Sequence, residues 1–292
     1  MQTRYDADNK TTQYVPDELN RIAQVVNAQG TTQYDYFRDS QLKTVTYPNN
    51  IRSRYTYDTA GRVDTIINTQ NSAVVSSYDY DYDRNGNRTE QIEINGGAAE
   101  TTTYDFDDLD RLTGVTYPDQ TVTYTYDLAY NRKTEIARSS DNTVTKHWQY
   151  QYNDRHQLTD ILDQLDNANS ITYSYDDNGN QTAKTKASEI TAFVFDARDD
   201  MRRVQVGGST VGQFLYDAAG LRIEKAGDRG IERYTYDDLS VLRQFDENNQ
   251  TLAKFDYGPN RLLSLRHSTE GIQFYLMDAL NSVVNLANAS GA

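Results

Sequence analysis

The sequence predicts an all-β protein, a run of tandem β-hairpin repeats joined into one long curled, spiral antiparallel sheet. Three observations lead there. Aromatic residues recur two positions apart, which places both rings on one face of a strand. These pairs return every 20 to 26 residues along most of the chain. Turn-forming residues interrupt each interval twice, so one interval holds two short strands and not a helix.

The pairs, in order, are Tyr34 and Tyr36, Tyr55 and Tyr57, Tyr80 and Tyr82, Tyr104 and Phe106, Tyr124 and Tyr126, and Tyr150 and Tyr152. They continue with Tyr173 and Tyr175, Phe193 and Phe195, Phe214 and Tyr216, Tyr234 and Tyr236, and Phe255 and Tyr257. These are the expected structural residues of the repeat. Asp follows the second aromatic in eight of the eleven pairs; Phe37, Asn153 and Gly258 take its place in the others. An Asp at the end of a strand bonds local amides and begins a turn. Gly61, Gly86, Asp110, Gly179 and Gly220 then supply the positive φ that the turn needs. A second strand follows, as in "RLTGVTYP" (111–118), and a second turn such as "YPDQ" (117–120) or "VGGS" (206–209) closes the hairpin.

Three stretches are distinguished. Residues 1–35 hold partial, degenerate leading repeats: "YVPDELNRI" (14–22) puts Pro16 where the aromatic belongs, and Tyr5-Asp6 comes half a repeat too early. Residues 36–256 are the array. Residues 257–292 form a more apolar, divergent closing segment with no further Tyr-Asp step. Only 17–26 and 276–288 have enough non-alternating apolar residues to hold a short helix. The chain reads as if cut from inside a longer array.

Composition supports an aromatic core. Leu, Ile, Val and Phe together make up less than a fifth of the 292 residues, and the net charge is −14, a combination near the border of disorder. The 24 Tyr offset this, because each ring buries a large area while its hydroxyl keeps a hydrogen-bond partner. With no Cys there is no disulfide or thiol chemistry. The start "MQTRYDADNK" has no signal-peptide pattern, and no run approaches the ~18 apolar residues of a membrane-spanning helix. The acidic balance argues against a nucleic-acid partner, because phosphates are repelled.

No catalytic, cofactor-binding or metal-binding residue is expected. "DYDRNGNRTEQIE" opens like an EF-hand loop at Asp81, Asp83 and Asn85, but position twelve is Ile92 where calcium needs a bidentate Glu. Sister segments such as "RYTYDTAGRV" (54–63) keep its shape without its acids, so a turn explains them all. His147, His156 and His267 share no ligand spacing. The adjacent Asp107 and Asp108 read as turn residues and not as a glycosidase pair. "GDRG" (227–230) lacks the Lys-Ser/Thr of a phosphate loop. The competing function class is sugar binding, with Tyr rows stacking on sugar faces.

The motifs "YDTAGRV" (57–63), "YDRNGNRT" (82–89), "FDDLDRLTGVTYPD" (106–119), "YDDNGNQT" (175–182) and "YDAAGLR" (216–222) resemble the YD repeats of the Rhs (rearrangement hot spot) family. Its relatives include toxin-complex C subunits, bacterial wall-associated proteins and teneurins. "FYLMDALNSVVNLANASG" (274–291) is similar to the family's closing segment, with Asn281 in place of a usual Gly. The resemblance implies a non-enzymatic wall segment of a hollow shell that encloses or displays a C-terminal effector or toxin, secreted or at the cell surface. It also implies partners: the remainder of a larger shell or copies of this chain paired at edge strands, and an enclosed effector. The family's self-cleavage is not carried over, because this chain has no Asp-Pro pair.

Overall fold

The computed structural model describes residues 2–5, 11–259 and 261–291. Asp6, of the early Tyr5-Asp6 step, lies outside the described residues. Among the described residues the protein is all-β, with 27 strands and one 3₁₀ turn of helix at Asn167–Asn169, capped by Asp166. The two stretches open to a short helix form none. Strand Ile22–Asn27 occupies the first, and strands Gly271–Met277 and Val283–Asn288 flank a turn in the second. Tertiary pairing overrode the non-alternating local pattern at both places.

Within each compact unit consecutive strands pair antiparallel, because each hairpin turn returns the chain beside itself. The register places each aromatic pair on one face. In strand Ile51–Tyr57, Tyr55 lies opposite Ile66 and Tyr57 opposite Val63, with a bulge between Thr56 and Tyr57. The same bulge recurs before Tyr36, Tyr82, Phe106, Tyr126, Tyr152 and Tyr175.

The chain forms two compact units. The first joins the residues up to Thr101 with those from Leu252 onward. Its strands Gln2–Tyr5 to Arg88–Asn95 form one layer, and strands Thr251–Gly258 to Val283–Asn288 pack on it as a second. Tyr34, Tyr47, Tyr55, Tyr78 and Tyr80 of the first layer share one core with Leu263, Phe274, Leu276 and Ala287 of the second. Hydrogen bonds tie the layers: the Tyr14 hydroxyl donates to the Tyr257 carbonyl (3.1 Å), Tyr47 to that of Tyr275 (3.1 Å), and Asn49 Nδ2 to that of Asn288 (2.9 Å).

The second unit, Thr102–Thr251, is a single antiparallel layer. Its core is small: Tyr150, Ile161 and Ile171, with Trp148, Tyr152, Leu158 and Tyr173 against them. The expected repeat aromatics therefore divide by unit. Tyr34, Tyr55 and Tyr80 are buried beneath the second layer, whereas in the second unit only Tyr150 is buried. Tyr104, Phe106, Tyr124, Tyr126, Phe193, Phe195, Phe214, Tyr216, Tyr234 and Tyr236 are half-buried.

Candidate functional site: the turn rim and the aromatic face

Seven of the eight Asp residues that follow an aromatic pair build the same loop, whereas Asp237 stays in its strand opposite Ser240. The Asp58 amide donates to the Arg62 carbonyl (2.9 Å) and the Gly61 amide to the Asp58 carbonyl (3.0 Å). This is a type I turn followed by a left-handed residue and a bulge, the three-residue hairpin loop. The pair of bonds recurs at Asp17, Phe37, Asp83, Asp107, Asp127, Asn153, Asp176, Asp196, Asp217, Asp246 and Asp278. Asp17 uses it despite Pro16, and Asp278 follows Met277, so the turn extends beyond the Tyr-Asp steps at both ends of the chain.

The left-handed residue is glycine at Gly61, Gly86, Gly179 and Gly220, with φ between 80° and 98°, and Asp110 has φ 59°. It is not glycine at Asn20, Ser40, Tyr130, His156, Asp199 and Asn281, where φ is 59° to 72°.

The Asp side chain is engaged inside its turn, through both oxygens in most turns and through Oδ1 at Asp217, Asp246 and Asp278. Asp58 Oδ1 accepts from the Ala60 and Arg62 amides, and Oδ2 accepts from Arg62 Nε (2.6 Å). Arg21 and Arg111 do the same for Asp17 and Asp107, and Asn87, Asn131 and Asn180 for Asp83, Asp127 and Asp176. These side-chain bonds hold Asp17, Asp83, Asp107, Asp127 and Asp176 below the usual carboxylate range. At Asp58 and Asp196 the backbone amides of Arg62 and Arg198 contribute most. The EF-hand-like stretch follows this plan: both Asp83 oxygens accept from Gly86 and Asn87, while Asp81 lies on a strand opposite Glu90.

Two further contacts run from repeat to repeat. The second aromatic of a pair sends its hydroxyl to a main-chain carbonyl of the preceding hairpin. Tyr36 donates to Ile22 O (2.8 Å), Tyr57 to Leu42 O (2.9 Å), Tyr82 to Val63 O (2.8 Å) and Tyr126 to Leu112 O (2.6 Å). Tyr152, Tyr175 and Tyr236 reach Arg132, Leu158 and Arg222 in the same way. Burial pushes the Tyr36, Tyr57 and Tyr82 hydroxyls up, so they remain donors. The turn Arg also reaches forward: Arg21, Arg62 and Arg111 lie 4.5 to 4.8 Å over the rings of Tyr36, Tyr82 and Tyr126.

The aromatic face of the second unit carries an ionic cluster around a buried glutamate. Glu135 lies between Tyr124 and Trp148 on neighbouring strands and is buried. Its carboxylate accepts from Arg132 (3.1 Å), from the Tyr150 hydroxyl (2.6 Å) and from Lys146. Burial opposes its ionisation, but the bonds from Lys146 and Tyr150 prevail and hold it below the usual range. Equivalent positions hold Val45, Ile66, Val115 and Ile161, opposite Tyr34, Tyr55, Tyr104 and Tyr150. The same column holds Gln91, Lys184 and Lys225 opposite Tyr80, Tyr173 and Phe214, so a charge there did not single out this cluster in the sequence. Burial and a bond to Glu232 push Tyr234 up to about 12 in a related contact.

The histidines stay local: His156 is a left-handed turn residue bonded to Asn131, His267 bonds Thr269 in its own turn, and His147 lies on a strand opposite Ile136.

A family profile described as Teneurin YD-shell matches residues 130–279, and one described as RHS Repeat matches residues 82–122. The chain belongs to the YD-shell family. Among its relatives, the tRNA3(Ser)-specific nuclease WapA of Bacillus spizizenii is 28% identical over 88% of this chain and 12% of its own length. The tRNA nuclease WapA of Bacillus subtilis is 27% identical, over 88% and 13%. The double-stranded DNA deaminase toxin A of Burkholderia cenocepacia is 24% identical, over 96% and 20%. The chain thus spans about an eighth of the length of the WapA relatives. The YD-shell fold is shared with a chain of the Tc holotoxin pore of Photorhabdus luminescens: TM-score 0.78, 15% identity, 99% of this chain and 16% of that one.

Proposed function

We propose that this chain is a non-enzymatic wall segment of a YD-repeat shell that encloses or displays a C-terminal effector. The observation that carries it is the repeat-to-repeat clasp. Turn after turn, the Asp is engaged within its own turn, and the Arg and Tyr groups that could do chemistry join one hairpin to the next. The relatives support the same reading. Proteins named for tRNA cleavage and for DNA deamination all match this span, so what they have in common here is better explained as housing than as either reaction. The partners on this reading are the rest of a larger shell and its effector, at a secreted or cell-surface location.

Two measurements test it. The purified chain should neither cleave tRNA nor deaminate double-stranded DNA; an activity removed by one substitution within these residues overturns the reading. In the full-length protein, deleting residues 102–251 should leave the C-terminal segment open to limited proteolysis. Equal protease resistance with and without that span also counts against it.

The half-buried Tyr rows of the second unit favour sugar binding as the second reading. Saturable, Tyr-dependent binding on a glycan array would support it.

A further inference from the structure

A cleft of about 380 Å³ in the first unit is lined by Arg21, Tyr34, Tyr36, Ser40, Pro259 and Arg261, with Ile22, Leu42 and Asn281 completing the wall. Its two arginines differ. Arg21 is neutralised: its guanidinium pairs with Asp17 at 2.7 Å and donates to the Phe37 carbonyl and the Ser40 hydroxyl. Arg261 enters the core from the second layer, donates Nη1 to the Tyr55 hydroxyl at 3.0 Å, and forms no ion pair among the described residues. The phenols of Tyr55, Tyr47 and Tyr34 are the groups that act on it most strongly. A largely buried cation without a counter-charge is costly, and removing it from water is offset only by an anion or a full set of acceptors.

The second observation is Tyr34. The residue is 4% exposed, and its hydroxyl has no hydrogen-bond partner. The buried hydroxyls of Tyr78 and Tyr80 are unbonded as well, but neither residue lines the cleft, and Tyr47 donates to a carbonyl. Gly258 faces this hydroxyl, and a Cβ at that position would collide with it. A buried O–H left unbonded is rare and calls for an explanation. Tyr34 lines the same cleft as the unpaired guanidinium.

We propose that this cleft is a carboxylate-binding site. Arg261 pairs with the anion and the Tyr34 hydroxyl donates a further hydrogen bond. A planar guanidinium fork matches a carboxylate in two parallel bonds, which sets the ligand class. The carboxylate comes either from a small free acid or from an acidic side chain of a polypeptide. The site does not depend on the shell reading, since it lies within one unit and uses only that unit's residues.

Calorimetric titration tests it, with malonate and with a blocked Gly-Asp-Gly peptide, ionic strength being held constant with chloride. The parent should bind at least one of the two saturably, one per chain. Tighter malonate binding assigns a free acid, and tighter peptide binding a side chain. Arg261→Gln should weaken binding about tenfold or more, the loss expected for a charge-assisted bond. Tyr34→Phe removes a hydroxyl that holds nothing in the free protein, so it should leave the unliganded melting temperature unchanged or raised while weakening binding severalfold. If Arg261→Gln fails to fold, the Tyr34→Phe comparison decides alone. No saturable binding by the parent, or parental affinity in Tyr34→Phe, overturns the proposal.

Discussion

At the scale of single residues, the tyrosines perform two separable tasks. The ring fills the face of the sheet, and the hydroxyl of the second member fastens its hairpin to the one before. Tyr57→Phe keeps the ring and removes the bond to Leu42 O, so thermal or urea unfolding should show a loss of about 1 kcal/mol. An unchanged midpoint would mean that water replaces the hydroxyl without cost. Truncation costs depend on the unit. Tyr80→Ala, 1% exposed, should cost about 3–5 kcal/mol, and half-buried Tyr126→Ala should cost less. The ring pattern was legible in the sequence because it repeats in residue type. The hydroxyl's acceptor was not: it is a main-chain carbonyl 14 to 20 residues back, and a carbonyl leaves no mark on residue identity. The Arg partner was half legible, as an Arg or Asn placed four residues after the Asp.

At the scale of the element, the hairpin loop sets both register and pH response. Asp carboxylates held low in the folded state contribute stability that is present above their unfolded pKa, about 4, and lost as pH falls through the lower folded values. The melting temperature should therefore hold near neutral pH and drop below about pH 4, where these carboxylates protonate. Asp107→Asn in one turn should flatten that drop slightly; a profile unchanged from pH 7 to pH 2 would show that the turns do not depend on the charged form. The left-handed position was legible where it is glycine and hidden where it is Tyr130, His156 or Ser40. Intrinsic preference disfavours those residues at positive φ, so only the repeat frame locates them. Tyr130→Gly should accordingly be tolerated or mildly stabilising by the backbone term, net of the lost contact with Arg111.

At the scale of the whole molecule, local periodicity predicted the strands but not their second layer. Tyr14 bonds Tyr257 across 243 residues, and Asn49 bonds Asn288 across 239. No short-range pattern encodes such distances. The apolar closing segment was the one hint, and its Leu263 and Leu276 are the residues that cover the first layer's tyrosines. Among the described residues, strand Gln2–Tyr5 pairs only with Thr11–Pro16, and strand Val283–Asn288 only with Gly271–Met277. A strand paired on one side offers main-chain donors and acceptors to another chain. The net charge of −14 opposes that approach, and added salt screens it over about 10 Å at 0.1 M. Self-association through these edges is therefore expected to strengthen as salt rises, the opposite of an assembly held by ion pairs. Light scattering across a salt series distinguishes the cases. Mass should climb above the 33.4 kDa of one chain with increasing ionic strength. A constant monomer mass would show that the edges are protected within the chain, and dissociation by salt would assign the contact to charged side chains instead.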